Sequence, residues 1–229
     1  MGESWRLAVG TLTALPVRAV GGVDRRTARG AMLLAPLAAL PLGALVALVL
    51  AVGEALELAP LAVGFLAVGA LAAGSRALHW DGLSDTVDGL TASYDAERSL
   101  AVMKTGTSGP AGVLATVVVA GIQASALAAY LDRPLLAGVL VCLSRCALWL
   151  VCCTRVPPAR PDGLGAAFTR TVPLAVAVAG GLLLSVAGGL VVLLLVRRTV
   201  RRFGGVTGDV MGAAVELALA TTLLVWTIP

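Results

Sequence analysis

The sequence predicts an all-α, polytopic integral membrane protein, folded as a helical bundle of about six spans. Hydrophobic residues make up 59% of the chain and charged residues only 13%, and the mean hydropathy is +0.96. A soluble globular domain carries about 25% charged residues, so the lipid bilayer is the expected solvent. A chain of 229 residues suits one domain, which we place at residues 1–229.

Six apolar runs approach the roughly 20 residues that a membrane-spanning helix needs. They cover residues 31–53, 58–78, 110–131, 134–153, 173–196 and 207–226. Ahead of them, Glu3 and Arg6 precede an apolar run that glycine and threonine interrupt, which is a poor match to a signal peptide. We therefore expect the N-terminal segment to be retained as a short interfacial or re-entrant helix.

The basic residues predict the orientation of the chain. Arginine and lysine are concentrated in residues 1–30, 76–109 and 154–172, which places these segments in the cytoplasm. Simple alternation of six full spans would put the four arginines of residues 197–202 on the opposite side. Two glycine pairs interrupt the run 173–196, and we expect a re-entrant or broken helix there that returns these arginines to the cytoplasm.

The formal net charge of +4 favours contact with the cytoplasmic lipid leaflet. No basic stretch carries the interleaved aromatic residues that stack nucleic-acid bases, so we expect no nucleic-acid partner. The four cysteines lie in one apolar run with a spacing that matches no zinc site, and we expect them to be buried thiols.

The segment HWDGLSDTVDGL, residues 79–90, carries the clearest chemical signal. In a helix, Asp81, Asp85 and Asp88 stand at i, i+4 and i+7, so their carboxylates share one stripe. Three like charges repel one another unless a cation lies among them, and Mg²⁺ prefers carboxylate, water and phosphate oxygens. The stripe therefore predicts an Mg²⁺ site that binds a diphosphate, although a solvated amphipathic helix is an alternative.

Three residues beside the stripe are candidate site residues. Gly82 and Gly89 would let a bulky phosphate approach the helix backbone. His79 is the only histidine and could orient a phosphate or an aspartate. The alternative for His79 is an ordinary interfacial side chain.

Two charged residues, Arg145 and Glu216, lie near the middle of apolar runs. An unpaired charge at membrane depth is costly and normally faces a partner or a polar cavity. These two residues therefore either pair with each other or line the substrate cavity.

The loop GGVTGD, residues 204–209, is a candidate phosphate-binding element. Its backbone amides at Gly204, Gly205 and Thr207 could bind a phosphate, and Asp209 adds a carboxylate at the start of a helix. Alone, this loop is a weak signal, because Asp209 is also a common residue in the first turn of a helix.

Taken together and in this order, HWDGLSDTVDGL, ERSLAVMK, GPAGV, the Ser144-Arg145 pair, RVPPARPDGLGAAF and GGVTGD resemble the cobalamin synthase family, the adenosylcobinamide-GDP ribazoletransferases. LTALPV at residues 12–17 extends the resemblance over most of the chain. The chain departs from many relatives after Met103 and Lys104, where TGT replaces an acid, a serine and an arginine. A phosphate contact by that arginine is therefore not expected here.

The resemblance implies that α-ribazole or its 5′-phosphate is joined to adenosylcobinamide-GDP, giving adenosylcobalamin or its phosphate and GMP. It implies Mg²⁺ held by the aspartate stripe, with Asp88 as a possible acceptor of the hydroxyl proton. Arg155, Arg160 and Arg170 are expected to bind the phosphates of the substrate, and Lys104 is a further candidate substrate-binding residue. Each of the three arginines could instead serve only to set topology.

The expected location is the bacterial inner membrane, with a multi-pass chain whose active site faces the cytoplasm. The sequence leaves open whether the protein forms a homo-oligomer. Other Mg²⁺-dependent membrane transferases are alternatives. A CDP-alcohol phosphotransferase lacks support because its DGxxAR signature is absent. A UbiA-like prenyltransferase and, on the evidence of the intramembrane Arg145 and Glu216, a small transporter stay open.

Overall fold

The computed structural model describes residues 2–228, and the regular secondary structure of these residues is helical. A 3₁₀ turn at Ala128–Tyr130 follows the eighth helix. The helices are α1 (Gly2–Leu12), α2 (Arg25–Leu33), α3 (Ala35–Ala38), α4 (Leu40–Ala55), α5 (Pro60–Gly74), α6 (Leu78–Ala92), α7 (Ala96–Val102), α8 (Pro110–Leu127), α9 (Pro134–Ser144), α10 (Ala147–Val151), α11 (Leu164–Phe168), α12 (Leu174–Leu183), α13 (Ser185–Phe203) and α14 (Gly208–Val225). The predicted all-α class is confirmed.

Three segments of the described chain are long and apolar enough to cross a bilayer, namely Pro110–Tyr130, Pro134–Val151 and Gly208–Val225. Helices α5 and α6 together would add a fourth if the bent pair were a single span. Helices α4 and α12 are apolar but shorter. The structure thus supports a membrane bundle, whereas it does not confirm six full-length spans.

The predicted span 31–53 is divided into pieces. Helix α3 carries Pro36 in its first turn and α4 carries Pro41 there. Proline has no N–H to continue the ladder of the preceding helix, yet its fixed φ suits the first turn of a new one. The run is apolar and helical as predicted, but its two prolines divide it into separate helices.

The predicted span 58–78 ends in a bend of 94° between α5 and α6. At this bend Arg76 and Ala77 have positive φ values of 57° and 54°, a left-handed conformation that breaks helical continuity. The Arg76 guanidinium donates a 2.6 Å hydrogen bond to the carbonyl of Gly10 in α1. The bend redirects the chain so that the aspartate-bearing helix α6 leaves the axis of α5.

Helices α12 and α13 fold back on each other around Leu184 and Ser185, where Ser185 has a φ of 66°. A Cβ added to Gly189 would lie 2.7 Å from the carbonyl oxygen of Gly181, so the glycines let the two helices touch. The break that the glycine pairs predicted in 173–196 is confirmed, although it falls between the pairs.

The arginines at the end of α13 lie beside the polar segment that follows α6. The Arg202 guanidinium donates to the carbonyl of Ser93, and its central carbon lies 4.7 Å from the ring centre of Tyr94. The fold-back of α12 and α13 therefore brings the arginine-rich end of α13 next to the aspartate-bearing segment, as the sequence predicted.

Helix α14 occupies the centre of the bundle and packs against α6, α8, α9, α10 and α13. The Tyr130 hydroxyl donates 2.7 Å to the carbonyl of Leu223, and the Thr222 hydroxyl donates 2.9 Å to that of Leu184. Because polar groups buried among apolar helices need partners, these bonds fix α14 against its neighbours. The last helix is thus held in place on several sides.

Candidate active site

The three aspartates of α6 share one helix face, as predicted, but differ in exposure. Asp81 is exposed, Asp85 is half-buried and Asp88 is 7% exposed. Asp81 also lines a cavity of about 160 Å³ together with His79 and Asp209. The stripe therefore runs from an open cavity into the protein interior.

Asp209 completes this carboxylate group from the first turn of α14. A Cβ on Gly82 would lie 2.6 Å from the carbonyl oxygen of Asp209, which shows how closely α6 and α14 approach. Asp85 lies within electrostatic range of Asp81, Asp88 and Asp209. Two helices distant in sequence thus bring four carboxylates together, and their mutual repulsion favours a bound cation.

Asp88 has a structural role that the sequence did not reveal. Its Oδ2 accepts a 2.6 Å hydrogen bond from the amide of Gly109, and its Oδ1 accepts one of 2.8 Å from the amide of Gly112. The carboxylate therefore satisfies free N–H groups at the start of α8, where negative charge is favourable. Because both oxygens are engaged, Asp88 is poorly placed to accept a proton from substrate.

Any Mg²⁺ at these carboxylates would need water or phosphate oxygens as further ligands. Among residues 2–228, no three His, Cys, Asp or Glu side chains are grouped so that they could hold a metal ion by themselves. Mg²⁺ usually keeps several water ligands and binds through one or two carboxylates plus substrate phosphate, so a closed site is not required. Asp81, Asp85 and Asp209 are the side chains of this group whose carboxylates do not cap α8.

His79 is buried and lies next to Glu216. The Nδ1 atom of His79 is 3.6 Å from Oε1 of Glu216. Oε2 of Glu216 accepts a 2.7 Å hydrogen bond from the side-chain amide of Gln123. Gln123 is the only glutamine of the chain and lies in an otherwise apolar run, a signal that sequence reasoning passed over. His79 thus lines the cavity on one side and contacts the buried Glu216 on the other.

Arg145 is fully buried near this group. Its Nη1 donates 2.8 Å hydrogen bonds to the carbonyl of Val141 and the hydroxyl of Ser144. Arg145 and Glu216 interact electrostatically, but their charged atoms are not within the 4.0 Å of a direct salt bridge. Arg145 and Glu216 were expected either to pair or to line the substrate cavity. The structure favours the first role in a looser form, because both side chains are buried in one cluster and neither lines the cavity beside Asp81.

The glycines beside the aspartates do not expose the backbone to a phosphate, which corrects the prediction for Gly82 and Gly89. The space above Gly82 is filled by the Asp209 backbone, and a Cβ on Gly89 would lie 2.7 Å from Cγ of Met103. Both glycines serve close packing between segments of the protein. The sequence shows that these residues are small, but it does not show which segments pack against them.

The loop 204–209, predicted to offer free backbone amides to a phosphate, is held in place by packing and by hydrogen bonds. Gly204 has a φ of 77° and ends α13, while Gly205 packs against the backbone of Pro158. The Thr207 hydroxyl caps α14 by accepting from the amide of Val210 and donates 3.0 Å to Oδ2 of Asp209. The phosphate-binding capacity of this loop therefore rests on the first turn of α14, where helix geometry leaves N–H groups free.

The basic candidates fall into two places. Arg160 lines a cavity of about 170 Å³ with Thr207 and Asp209, and it lines a neighbouring cavity of about 360 Å³ with Lys104. Arg155 instead lines an apolar groove between α10, α12 and α13. Arg170 is exposed, and its carbonyl accepts a 2.6 Å hydrogen bond from Arg25. Of these basic candidates, Arg160 lies beside Asp209, and Lys104 lies across the outer cavity from Arg160.

Comparison with known proteins shows the family to which the sequence belongs. The cobalamin-5-phosphate synthase family matches residues 4–227. A relative from Nocardioides sp., named adenosylcobinamide-GDP ribazoletransferase, is 81% identical over 226 residues and covers 99% of each chain. Relatives of the same name from Frankia casuarinae and Bradyrhizobium diazoefficiens are 38% and 37% identical, covering 96% of this chain and 92% and 91% of theirs. No solved structure matches. The protein described here belongs to the cobalamin-5-phosphate synthase family.

Proposed function

We propose that the protein joins α-ribazole, or its 5′-phosphate, to adenosylcobinamide-GDP and releases GMP. The relatives named for this activity support the proposal, since one of them is 81% identical over 99% of the chain. The observation that carries it is that Asp81 and Asp85 lie near Asp209, which also lines a cavity with Arg160. Acidic side chains for a metal and basic ones for phosphate thus occur together.

Asp81 and Asp85 of α6 and Asp209 of α14 would hold Mg²⁺, the resident cofactor that we propose. Bound there, Mg²⁺ would neutralise charge on a diphosphate and on the departing phosphate group. Asp88 would hold α8 against α6 and so keep the metal-binding face in position. This assignment replaces a three-residue site on one helix with a site shared by two helices.

The phosphates of the nucleotide would lie between Arg160 and the first turn of α14. Arg160 lines both neighbouring cavities, and Lys104 lines the outer one. An arginine can bind phosphate oxygens in a bidentate manner, and a helix N-terminus adds N–H donors. These residues would bind and orient the diphosphate for attack on the phosphorus attached to the cobinamide arm.

In the proposed reaction, a ribose hydroxyl of α-ribazole forms a new P–O bond to that phosphorus. The bond between this phosphorus and the oxygen that bridges to the second phosphorus breaks, and GMP leaves with the electron pair. The hydroxyl proton passes to a base or to water. Most of the rate enhancement would come from positioning and charge neutralisation, which dominate phosphoryl transfer.

The bilayer surrounds the apolar helices in this proposal, and the bacterial inner membrane is the expected location. The aspartates, Arg160 and the arginine-rich end of α13 would face the cytoplasm, where nucleotide substrates are available. The contact of Arg202 with Ser93 supports a common side for these segments. The concentration of arginine on that side supports the cytoplasm.

The test is the release of GMP by purified protein supplied with adenosylcobinamide-GDP, α-ribazole and Mg²⁺. Asp81→Asn and Asp85→Asn should each reduce turnover at least ~100-fold with the protein still folded, and EDTA should abolish wild-type activity. Asp132→Asn is the matched control, since Asp132 is exposed and its Oδ1 lies 3.4 Å from Nε of Arg133. Near-normal turnover by both α6 variants would refute the proposed metal site.

A further inference from the structure

The loop between α10 and α11 is fixed in place beside the proposed phosphate site. The amide of Ala159 donates 2.9 Å to the carbonyl of Val206, and the amide of Val206 donates 3.0 Å to that of Pro157. The Arg160 guanidinium donates to the carbonyl of Leu100 at the other edge of the loop. A Cβ on Gly165 would lie 2.7 Å from the Val206 carbonyl oxygen, so the loop also packs closely at its end.

This fixed loop presents one solvent-exposed carboxylate that has no partner within the protein. Among the interactions of residues 2–228, Asp162 takes part in no hydrogen bond and no salt bridge. It does not cap α11, because Gly163 holds the N-cap position and no side chain caps that helix. The carboxylate of Asp162 therefore neither caps a helix nor closes a turn, and it is free to contact a ligand in the cavity.

Two basic residues near Asp162, Arg160 and Lys104, are suited to bind anions. Asp162 lines the wall shared by the two cavities that meet at Arg160, with Thr207 and Asp209 on one side and Lys104 on the other. A carboxylate beside a phosphate site opposes anion binding unless another part of the ligand offers hydrogen-bond donors. The guanine base of a guanosine nucleotide offers two such donors on one edge, N1–H and the N2 amino group.

Glu97 is the other acid that lines the outer cavity, and its position has a structural explanation. It lies in the first turn of α7, where negative charge is favourable next to the helix N-terminus. Asp162 lies outside any helix and has no such explanation. The two acids therefore provide a matched pair for a test.

We propose that Asp162 recognises the guanine base of the nucleotide, its two carboxylate oxygens accepting from N1–H and the N2 amino group. The inference rests on the proposed function, which supplies the guanosine nucleotide. Adenine presents an acceptor at N1 and would be repelled by the carboxylate. Asp162 would then determine that the activated substrate carries guanosine, while Arg160 and the start of α14 bind its phosphates.

The experiment compares GMP with XMP as competitive inhibitors of adenosylcobalamin formation. Xanthine keeps N1–H but carries an oxygen at position 2, so it matches the amide of asparagine better than a carboxylate. Wild-type protein should bind GMP ~10- to 100-fold more tightly than XMP, as expected for a charge-assisted hydrogen bond. Asp162→Asn should weaken GMP at least ~10-fold and abolish or reverse this preference, whereas Glu97→Gln should keep it.

A retained preference for GMP in Asp162→Asn would overturn the inference, and so would a lost preference in Glu97→Gln. If Asp162→Asn shows too little turnover for inhibition measurements, equilibrium dialysis with GMP and XMP gives the same comparison directly. Failure of the proposed function is a separate outcome, because the wild-type protein would then form no cobalamin product from adenosylcobinamide-GDP.

Discussion

Replacing Gly82 with alanine should reduce activity by moving α14 away from α6. The added Cβ would lie 2.6 Å from the Asp209 carbonyl oxygen and 3.0 Å from its Cα. Both are backbone atoms, so no side chain can rotate to relieve the contact. Restoring an ordinary 3.4 Å contact requires a shift of about 0.8 Å in the backbone that carries Asp209. A misplacement of about 1 Å can cost ~100-fold in rate, so we expect a loss of ~10- to 100-fold in kcat.

The assay is GMP release at saturating substrate, with thermal unfolding in detergent measured on the same samples. Gly121→Ala is the matched control, because Gly121 also lies in a helix and a Cβ there meets nothing within 4 Å. Alanine improves helix propensity by about 1 kcal/mol at both sites, while crowding at Gly82 costs about 1–3 kcal/mol. Wild-type kcat in Gly82→Ala would refute the claim that this contact positions Asp209.

Three further predictions concern stability and topology. Asp88→Ala should lower the free energy of unfolding by about 1–3 kcal/mol, because two amides at the start of α8 lose their acceptor, and a Tm equal to that of wild type would exclude this role. Arg145→Leu and Glu216→Leu should each cost about 3–5 kcal/mol by leaving a buried charge uncompensated, and the double variant should lose less than the sum; additive losses would indicate separate roles. A cysteine at exposed Arg198, in a background without the native cysteines, should react with an impermeant thiol reagent only after permeabilisation, and labelling of intact cells would place this segment outside.

The position chosen for the labelling experiment depends on which side chains of residues 197–202 are buried. Thr199 lies midway along the arginine-rich segment and so suggests itself as the labelling position. The structure buries it completely, and its hydroxyl donates 3.1 Å to the carbonyl of Val196. A cysteine at Thr199 would stay unlabelled on either side of the membrane, so Arg198 is the informative position.

The aspartate site could be predicted in part because helix periodicity alone determines which residues share a face. The relation of Asp81, Asp85 and Asp88 needs no knowledge of the rest of the fold. The partner of each residue depends on tertiary packing, which periodicity does not contain. Periodicity therefore groups Asp88 with the predicted metal ligands, although its carboxylate accepts hydrogen bonds from the amides of Gly109 and Gly112.

The membrane spans were likewise predictable only in part. Apolar composition predicted helices throughout the runs, while local breaks decided their lengths. Pro36 and Pro41 divide the first run, and the left-handed residues Arg76 and Ala77 turn the second. The glycine pairs of 173–196 did predict a break, because small residues allow close helix contact, but the turn itself falls at Ser185.

The joining of α6 to α14 also has a consequence for biosynthesis of the protein. The ribosome completes α6 long before it reaches Asp209, so for that interval the acidic helix has no partner from α14. During this time the aspartates of α6 lack the carboxylate of Asp209 beside them. Because contacts distant in sequence form late, docking of α14 should be the step that completes the carboxylate group. A chain in which α14 has not inserted should therefore be inactive.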